Sequence, residues 1–559
     1  MWSRSFLVIV ATTVTMILFS ARLDAVRVQS PGLVALTGQV SSAEEDSMEG
    51  VLVSAKRIGS TVTVTVVSDA QGRYGFARTR LQPGQYSIRI RAVGYELEGS
   101  DLVEVIAQTT TRLDLRLRKA QDLAYQLTNT EWIMSMPGSQ EQKDIFTGCV
   151  SCHTLERVAR SRYTKTEFVQ VMQRMRDYIQ GSTPLRSQKR PKSRPFSGMQ
   201  KERVAKQAEY LSTINLSSTS SWNYSLKTLP RPQGKATQVI ITEYDLPRID
   251  TQPHDAAVDS EGMVWYADFG NHYMGRLDPA TAKVMEYRVP DIIPGYPSGS
   301  LDLQFDQEEN IWLSMMHQRG VAKFDRKTQK FQTWAAPKDP TDESWISMVM
   351  PWQHHVDGKV WVGGDPLDWQ LDVRTGEWIA IDFLRDVPKD SPIAARSHDT
   401  YGVAVDMQNN FYGMELGTDY VIRVNSKTLK ATFYTTPTSN SSPRRGHMDS
   451  QERLWFAEYR GNRIGMFDTK SEQIQEWELP TQSTYPYDAI LDEYGEAWAG
   501  GMNSDRVVRL NTQSGEFVEY LLPRSTNIRR VDVDNSTNPA TFWIGNNHGA
   551  SLIKLEPLE

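Results

Sequence analysis

A repeat with a period of about forty residues governs residues 236–559 and leaves this stretch few architectures to adopt. A typical copy contains a polar step, an apolar run around an aromatic residue, and two further runs, which in several copies end in Asp and in Pro. Four short strands per copy are typical of propeller blades. The copies centre on Trp265, Trp312, Trp361, Tyr412, Trp455, Trp498 and Trp543. The repeat therefore predicts a seven-bladed β-propeller.

The two ends of the repeat predict how the ring closes. The last copy stops at residues 552–556, one strand short of four, and an apolar run at 239–247 precedes the first copy. If this run completes the last blade, neither end of the ring leaves a free sheet edge, which would otherwise promote aggregation. We therefore expect residues 239–247 to form the outer strand of the seventh blade.

The sequence CVSCH at 149–153 is the attachment signature of c-type haem. Cys149 and Cys152 are the only cysteines, and they lie one helical turn apart, so both thiols can bond to one porphyrin. A disulfide between them would close a very small loop and leave His153 unexplained, and a zinc site would need a second ligand pair. The motif predicts one covalent haem c with His153 as the proximal iron ligand, hence iron redox chemistry or electron transfer.

Residues 121–216 have helical spacing around this motif. The capping box TKTE at 164–167 opens a middle helix, and residues 203–214 form a closing helix, so the segment resembles a single-haem cytochrome c domain. Met175 and Met199 are the candidates for the distal iron ligand, with Met175 slightly favoured; an open iron or a histidine ligand is the alternative, because helical methionines are usually core. The basic loop at 186–194 is a solvated surface, or it balances haem propionates or steers an acidic partner.

Residues 33–118 alternate apolar and polar residues between turn sequences such as DAQG at 69–72, which predicts a small β-sandwich. The runs TGQV at 37–40, DAQGRYGF at 69–76, LQPGQY at 81–86 and VGY at 93–95 resemble the carboxypeptidase regulatory-like domain. This resemblance implies a carbohydrate-binding-like fold in an accessory module, and we favour a structural role over carbohydrate binding. Residues 217–235 are rich in Ser and Pro and predict a linker. The predicted fold class is a mainly β multidomain protein: β-sandwich, small all-α cytochrome c domain and seven-bladed β-propeller.

Residues 1–25 have the pattern of a secretory signal, with a short apolar stretch after Arg4; an uncleaved N-terminal anchor is the alternative. No later stretch is apolar enough to span a bilayer, so we expect a periplasmic or secreted protein. The formal net charge of -6 is mild for 559 residues, which argues against a nucleic-acid partner.

The blades resemble the virginiamycin B lyase (streptogramin lyase) family, most closely in LWFAEYRGNRIG at 454–465. That resemblance implies a catalytic histidine in the step that opens the last blade and carboxylates that hold magnesium. Here the step is NIRR at 527–530, and the blade before it offers YPY at 485–487. Because arginine replaces the histidine, we do not expect antibiotic lyase activity.

Several blades carry polar residues where their inner strands begin. His254, His398 and His447 are the candidate catalytic residues, and their polar companions are Asp255, Asp399, Tyr487 and Arg530. Such entries converge at the mouth of the central channel, a usual ligand site. A divalent metal, a carboxylate substrate and a general base remain open interpretations of the histidines.

Two classes of function follow from these patterns. In the first, a periplasmic oxidoreductase binds an organic or carbohydrate ligand in the propeller, and its haem passes electrons to a redox partner protein or a small-molecule acceptor. In the second, the chain is a noncatalytic ligand-binding or sensor protein; a lyase is a further alternative.

Overall fold

The computed structural model describes residues 34–559, apart from 218–220, 339–344, 352–357, 366 and 396–398. The predicted signal segment and the candidate residue His398 lie outside the described residues. Within the described part, strands greatly outnumber helices, in agreement with the predicted mainly β class. None of the helices described there is long and apolar enough to cross a membrane.

The N-terminal part of the described chain is a two-sheet β-sandwich, as its alternating pattern predicts. Its strands are β1 (Val34–Ser42), β2 (Leu52–Arg57), β3 (Val62–Val67), β4 (Arg73–Ala77), β5 (Gly84–Arg91), β6 (Tyr95–Glu98), β7 (Leu102–Val105), β8 (Thr111–Arg112) and β9 (Leu115–Lys119). One sheet has the order β4-β1-β9-β6 with β8 beside β1, and the other contains β3-β2-β5-β7. At the predicted turn, the Asp69 carboxylate accepts the backbone N–H groups of Gln71 and Arg73 at 2.9 Å each.

A helical segment follows the sandwich. Its helices are α1 (Asn129–Ser135), α2 (Gln140–Lys143), α3 (Phe146–Cys149), α4 (Glu156–Ala159), α5 (Lys165–Arg176) and α6 (Met199–Ile214). The predicted capping box is present, because the Thr164 hydroxyl accepts the N–H of Glu167 and the Glu167 carboxylate accepts the N–H of Thr164. The CVSCH motif does not lie within a single helix: α3 ends at Cys149, and a turn carries Cys152 and His153 before α4 begins.

The predicted linker at 217–235 is packed against the rest of the chain wherever it is described. The ring centroids of Trp222 and Trp132 lie 5.2 Å apart. The N–H of Leu229 donates to the Glu131 carboxylate at 2.7 Å, and Arg231 forms an ion pair with Glu45. This segment therefore packs against both the sandwich and the helical segment. Its Ser- and Pro-rich composition did not predict these contacts.

The propeller starts with β10 (Val239–Asp245) and continues with six four-stranded sheets. The first three blades are β11 (Pro253–Val258), β12 (Val264–Asp268), β13 (Tyr273–Asp278), β14 (Lys283–Arg288); β15 (Asp302–Phe305), β16 (Ile311–Met315), β17 (Gly320–Asp325), β18 (Lys330–Ala335); β19 (Trp345–Met350), β20 (Lys359–Asp365), β21 (Asp368–Asp372) and β22 (Glu377–Ile381). The next three are β23 (Thr400–Val405), β24 (Phe411–Glu415), β25 (Tyr420–Val424), β26 (Ala431–Thr435); β27 (Pro443–Met448), β28 (Arg453–Glu458), β29 (Arg463–Asp468), β30 (Gln473–Glu478); β31 (Pro486–Leu491), β32 (Glu496–Gly501), β33 (Arg506–Asn511) and β34 (Phe517–Leu521).

The seventh blade closes the ring in the predicted way. Its strands β35 (Val531–Asp534), β36 (Thr541–Asn546) and β37 (Ser551–Pro557) are completed by β10, which pairs antiparallel with β37. Strand β11 contacts β35, so the first blade meets the last. On its other side β10 pairs with β3, with Ile240 opposite Val66, and the sandwich and the seventh blade therefore share one eight-stranded sheet.

The seven aromatic centres of the repeat all lie on the second strand of a blade, which confirms the predicted blade count. In several blades an aspartate six residues earlier accepts the N–H or O–H of the aromatic side chain. These pairs are Asp259 with Trp265, Asp306 with Trp312, Asp406 with Tyr412, Asp449 with Trp455, and Asp492 with Trp498. The repeated spacing thus reflects a buried hydrogen bond that fixes the first hairpin of each of these blades.

Candidate functional site

The CVSCH motif is docked against the last blade of the propeller. The Asn527 amide donates to the carbonyl oxygen of Val150 at 3.2 Å. The Ser151 carbonyl oxygen accepts from the Arg529 guanidinium at 3.1 Å and from Nε2 of His548 at 3.3 Å. These contacts join residues nearly 400 positions apart, at separations of 377 to 397 residues. The channel mouth therefore faces the motif, an arrangement that the sequence did not predict.

The three side chains of the motif, Cys149, Cys152 and His153, are partly buried. Both cysteines are free thiols. Burial raises the pKa of Cys149 to about 12 and raises the pKa of Cys152, which Arg529 partly opposes. Nδ1 of His153 lies 2.9 Å from the Thr154 carbonyl oxygen, which can only accept, so Nδ1 carries the proton and Nε2 carries the lone pair. Burial lowers the pKa of His153, in keeping with a neutral ring.

A cleft of about 230 Å³ lies beside Cys152 and His153, and we call it the motif cleft. Its other lining residues are Thr154, Arg157, Thr183, Pro184, Leu185, Ile249, Asp250, Thr251, Gln252, Asn547 and His548. Leu185 and Ile249 are 65% and 79% exposed, although both are large and apolar. Thr251 and Asn547 are buried, and the Thr251 hydroxyl and Asn547 amide find no hydrogen-bond partner among the described residues. The cleft thus offers uncovered apolar surface and unused polar atoms.

The structure does not bring either predicted distal ligand into this cleft. Met175 is 40% exposed and Met199 is 87% exposed, and neither lines the motif cleft. His548 does line it, together with His153. The sequence patterns did not single out His548, although His317 follows Trp312 at the same spacing of five residues as His548 follows Trp543, and this shared spacing is the signal that could have found it.

The basic loop is not a freely solvated surface. The Arg186 guanidinium donates to the Gly270 carbonyl oxygen at 2.8 Å and lies 3.7 Å from the Asp250 carboxylate. The Gln188 amide bonds to carbonyl oxygens of Gly270 and Ser298 at 3.1 and 3.0 Å. The loop is therefore anchored on the first blades beside the motif cleft.

A second cavity of about 260 Å³ is lined by the motif residue Ser151 and by propeller residues, and we call it the mouth cavity. Thr147, Gly148 and Ser151 form one wall. Gln180 of the helical segment also lines the cavity. The propeller supplies most of the remaining wall, including an aromatic and apolar set that consists of Phe269, Leu301, Met316, Trp345, Tyr401, Leu416 and Tyr459. Asp399, Arg444, Arg460 and Arg529 supply its charged groups. Of these lining residues, the sequence pattern predicted Asp399 as a polar residue of the channel mouth, but it did not predict the three arginines or Tyr401.

Strand register shows which residues are equivalent at the mouth. The pairing of β11 with β12 has an irregularity at His254, since Pro253 pairs with Asp268 and Asp255 pairs with Ala267. The inner strands of three other blades have comparable irregularities, which place Tyr401, Arg444 and Tyr487 at the position that His254 has in the first blade. In the last blade, the strand register places Arg529 at this position. A bulge turns the same position of several blades toward the channel end.

The predicted equivalence of His447 with His254 is wrong. His447 pairs with Trp455 in its blade, and it is Ala257 that pairs with Trp265 in the first blade. His447 therefore lies further along the strand, where its Nε2 is 3.0 Å from the Asp488 carboxylate. The recurring step of Pro, any residue and a charged residue at 253–255, 443–445 and 486–488 is the sequence signal that would have given the right alignment.

His254 begins a buried hydrogen-bonded chain that ends at the mouth cavity. Its Nδ1 lies 2.6 Å from the Asp255 carboxylate, and burial lowers its pKa to about 4, so the neutral ring donates Nδ1–H to Asp255. Nε2 then accepts the hydroxyl of Tyr487 at 3.0 Å. Tyr487 in turn contacts the hydroxyl of Tyr401, which lines the mouth cavity. With every proton pointing toward Asp255, the Tyr401 oxygen is left as an acceptor.

A buried network of ion pairs adjoins this hydrogen-bonded chain through Asp255. Arg445 makes two 2.9 Å contacts with the Asp255 carboxylate and one of 2.7 Å with Asp302. Burial raises the pKa of Asp302 to about 7, while Arg445 opposes this shift. Arg445 holds the pKa of Asp255 well below its usual range, against the effect of burial. The network keeps Asp255 ionised, as a partner for the proton on His254.

The described side chains at the channel mouth do not form a site for a divalent metal. Among the described residues, no three His, Cys, Asp or Glu side chains are grouped so that they could hold a metal ion. His254 and His447 are each engaged with a single aspartate, Asp255 and Asp488 respectively.

Two segments of the chain match known families. Residues 388–556 match the virginiamycin B lyase family, and residues 35–118 match the carboxypeptidase regulatory-like domain. The first segment comprises the last four blades, and the second comprises the sandwich. Both resemblances drawn from the sequence are confirmed for these segments. A search of the curated proteins finds no match.

Solved structures similar to this chain include three lyases. A streptogramin B lyase has a TM-score of 0.48 and 19% identity, over 58% of this chain and 99% of that chain. Selenomethionine-substituted virginiamycin B lyase from Staphylococcus aureus has a TM-score of 0.48 and 18% identity, over 57% and 99%. A catalytically inactive form of the latter with quinupristin has a TM-score of 0.47 and 18% identity, over 57% and 99%.

Proposed function

We propose that this chain is an exported c-type haem protein that transfers electrons and couples an organic ligand held by the propeller to a redox acceptor. One haem c would be bonded through thioethers to Cys149 and Cys152, with His153 as the proximal ligand. Bound haem c supplies one-electron redox chemistry at its iron. The observation that carries the proposal is that the motif contributes to both cavities, with Cys152 and His153 in the motif cleft and Ser151 in the mouth cavity.

The residues around the motif cleft fit a porphyrin. The thiols of Cys149 and Cys152 are not joined to each other, and His153 has the tautomer that leaves Nε2 for a metal. A macrocycle would cover Leu185 and Ile249, which are otherwise exposed apolar side chains. Buried polar atoms without a hydrogen-bond partner destabilise a protein, and the Thr251 hydroxyl and the Asn547 amide are two such groups in this cleft. The propionates of a haem would be suitable hydrogen-bond partners for both.

Three side chains are candidates for a second ligand that would hold the haem iron. Met175 and Met199 remain candidates from the sequence, and His548 joins them because it lines the motif cleft. We favour His548, since either methionine would have to move from an exposed position. This choice affects the potential of the iron, because a thioether ligand raises it.

Proximity supports coupling between the haem and a ligand in the propeller. Ser151 lines the mouth cavity, and its neighbour Cys152 lines the motif cleft. A group attached to Cys152 and a ligand in the mouth cavity would therefore lie on the two sides of one short turn. Electrons would leave from the haem to a redox partner protein or a small-molecule acceptor.

The hydrogen-bonded chain gives the candidate catalytic residue His254 a role as proton acceptor. His254 is fully buried and reaches the mouth cavity only through Tyr487 and Tyr401. A proton from a ligand hydroxyl could pass to the Tyr401 oxygen while the chain shifts its protons toward His254. Asp255 would then stabilise the imidazolium.

Two alternatives share the same cavity. A noncatalytic binding or sensor protein would use the mouth cavity without oxidising its ligand. A lyase related to the family matched at 388–556 would need a base at the mouth, and Arg529 occupies the position equivalent to His254 in the last blade. Absence of any change in haem oxidation state when a ligand binds would favour the binding protein over the oxidoreductase.

The test is expression of the full chain in a bacterium with periplasmic haem c maturation. The purified protein should carry covalent haem by mass and show a c-type spectrum that acid extraction does not remove. The spectrum should respond reversibly to dithionite and ferricyanide. Cys149→Ser combined with Cys152→Ser should abolish covalent haem, whereas Ser151→Ala, in the same turn, should keep it. Two free thiols in protein from a competent host would overturn the proposal.

A further inference from the structure

Two buried arginines in the mouth cavity form no ion pair with any described residue. Arg444 is 8% exposed and Arg529 is 3% exposed, and both line the cavity. Arg529 donates to neutral oxygens of Asn527 and Ser151. Nε of Arg444 has no hydrogen-bond partner among the described residues. Asp399 lines the same cavity, but it forms no ion pair with either guanidinium among the described residues. A buried cation without such a pair is costly, and an anion that enters the cavity would offset that cost.

The two guanidinium groups are held by aromatic rings and converge on the same place. The guanidinium carbon of Arg444 lies 3.9 Å from the ring centroid of Tyr487, 4.3 Å from Tyr459 and 4.6 Å from Tyr401. That of Arg529 lies 5.1 Å from the centroid of Tyr487. These cation–π contacts, together with the hydrogen bonds of Arg529, hold both guanidinium groups in place before a ligand arrives.

The remaining wall of the cavity suits an apolar body. Phe269, Trp345 and Tyr459 are aromatic, and Leu301 and Met316 are aliphatic. A cavity of about 260 Å³ lies just below the range of about 300–1,000 Å³ that is usual for drug-sized ligands, so it suits a smaller molecule. Sites of this kind place a few polar groups in a largely apolar lining, where the polar groups set orientation and the lining supplies burial.

We propose that the mouth cavity binds a small organic acid with an aromatic or apolar body, and that Arg444 and Arg529 hold its carboxylate. Arginine forks match the two oxygens of a carboxylate, which favours this group over a neutral one. The inference rests on the proposed binding role of the propeller and deepens it by naming the ligand class. It does not depend on haem attachment.

Benzoate and cinnamate are suitable probes, with benzamide as the neutral analogue of benzoate and with acetate and inorganic phosphate as anions that lack an apolar body. Binding to the full chain is followed by calorimetry and by Trp fluorescence, because Trp345 lines the cavity. We expect at least one aromatic acid to bind, and benzamide, acetate and phosphate to bind at least about tenfold more weakly.

Arg444→Gln and Arg529→Gln should each weaken the aromatic acid about tenfold or more. Arg276→Gln, which removes an arginine stacked on Trp265 away from the cavity, should leave binding unchanged. If Arg444→Gln does not fold, Arg444→Lys replaces it as the test of the arginine. The comparison of benzoate with benzamide on the wild-type chain then tests whether the carboxylate is recognised.

Three results would overturn the inference: no binding of either aromatic acid to the wild-type chain, equal binding of benzamide or phosphate, or unchanged binding in both arginine variants. Haem content is measured in the same preparations. Protein with haem but without acid binding refutes the ligand class alone, and protein that binds the acid without covalent haem refutes the haem function alone.

Discussion

The hydroxyl of Tyr487 lies 3.0 Å from Nε2 of His254, and these two buried groups come from the sixth and the first blade. The contact spans 233 residues of sequence and joins the Asp255 carboxylate to Tyr401 at the mouth cavity. Because His254 is neutral, its Nε2 can only accept, so the direction of the chain is fixed. The channel mouth therefore contains a hydrogen-bonded chain with a fixed donor direction from Tyr401 to Asp255.

Removal of the Tyr487 hydroxyl should destabilise the protein. Tyr487→Phe leaves Nε2 of His254 without its donor in a fully buried site, which should lower the free energy of unfolding by about 1–3 kcal/mol. Tyr494→Phe removes an exposed hydroxyl bonded to the Asn535 carbonyl oxygen and should change it by less than about 0.5 kcal/mol. Guanidinium denaturation measures the free energy of unfolding of both variants. Equal decreases in the two variants would show that the buried hydrogen bond stabilises the protein no more than the exposed one does.

The spectrum of the iron should identify the second axial ligand. We expect His548→Ala to alter the visible spectrum and the midpoint potential, because His548 lines the motif cleft. Met175→Ala and Met199→Ala should leave both unchanged, since neither side chain lines it. A weak near-infrared band typical of a thioether ligand, lost in one methionine variant, would instead assign that methionine.

Affinity for an aromatic acid should fall as the pH rises through neutrality. Burial raises the pKa of Asp399 to about 7, with Asp365 and Glu415 adding to the shift and Arg444 opposing it. Below this pKa Asp399 is neutral, and above it a negative charge faces Arg444 beside the ligand. Benzoate stays ionised between about pH 5.5 and pH 8.5, so wild-type binding should weaken on the order of tenfold across this range.

Asp399→Asn is the control for this pH effect. The variant keeps the shape of the side chain but cannot ionise, so its affinity for benzoate should be nearly independent of pH over the same range. The arginines that line the cavity stay charged throughout. An equally steep pH dependence in Asp399→Asn would assign the titration to another group.

Stability should decline as the pH rises above the ordinary range of a glutamate. Burial and the neighbouring Glu476 raise the pKa of Glu458 to about 9 from the unfolded value of 4.5. The folded state therefore binds this proton more tightly, and the resulting stability is full below 4.5 and is lost as the pH rises toward 9. The loss has an upper limit of about 1.4 kcal/mol per pH unit.

Glu458→Gln removes this titration, so the melting temperature of the variant should fall less steeply than that of the wild type between about pH 5 and pH 9. Glu493→Gln, at an exposed position, should keep the wild-type slope. Parallel profiles for Glu458→Gln and the wild type would contradict the predicted effect.

Local patterns in the sequence determined the elements of this protein. The spacing between Asp492 and Trp498 repeats in other blades because each pair makes the same hydrogen bond within one hairpin. Alternation predicted the sandwich strands, and the Thr164 capping box predicted the start of α5. These features depend on neighbours a few residues apart, so their physical cause is visible in a short window.

The tertiary structure alone decided how the parts meet. The pairing of Ile240 with Val66 fuses two predicted domains into one sheet, and Arg529 reaches Ser151 across 378 residues. Register also decided which residue enters the mouth: a bulge at Arg444, not the nearby His447, places an arginine beside Tyr487. A shift of one or two residues along a strand changes which side chain faces the channel, and only the strand pairing sets that shift.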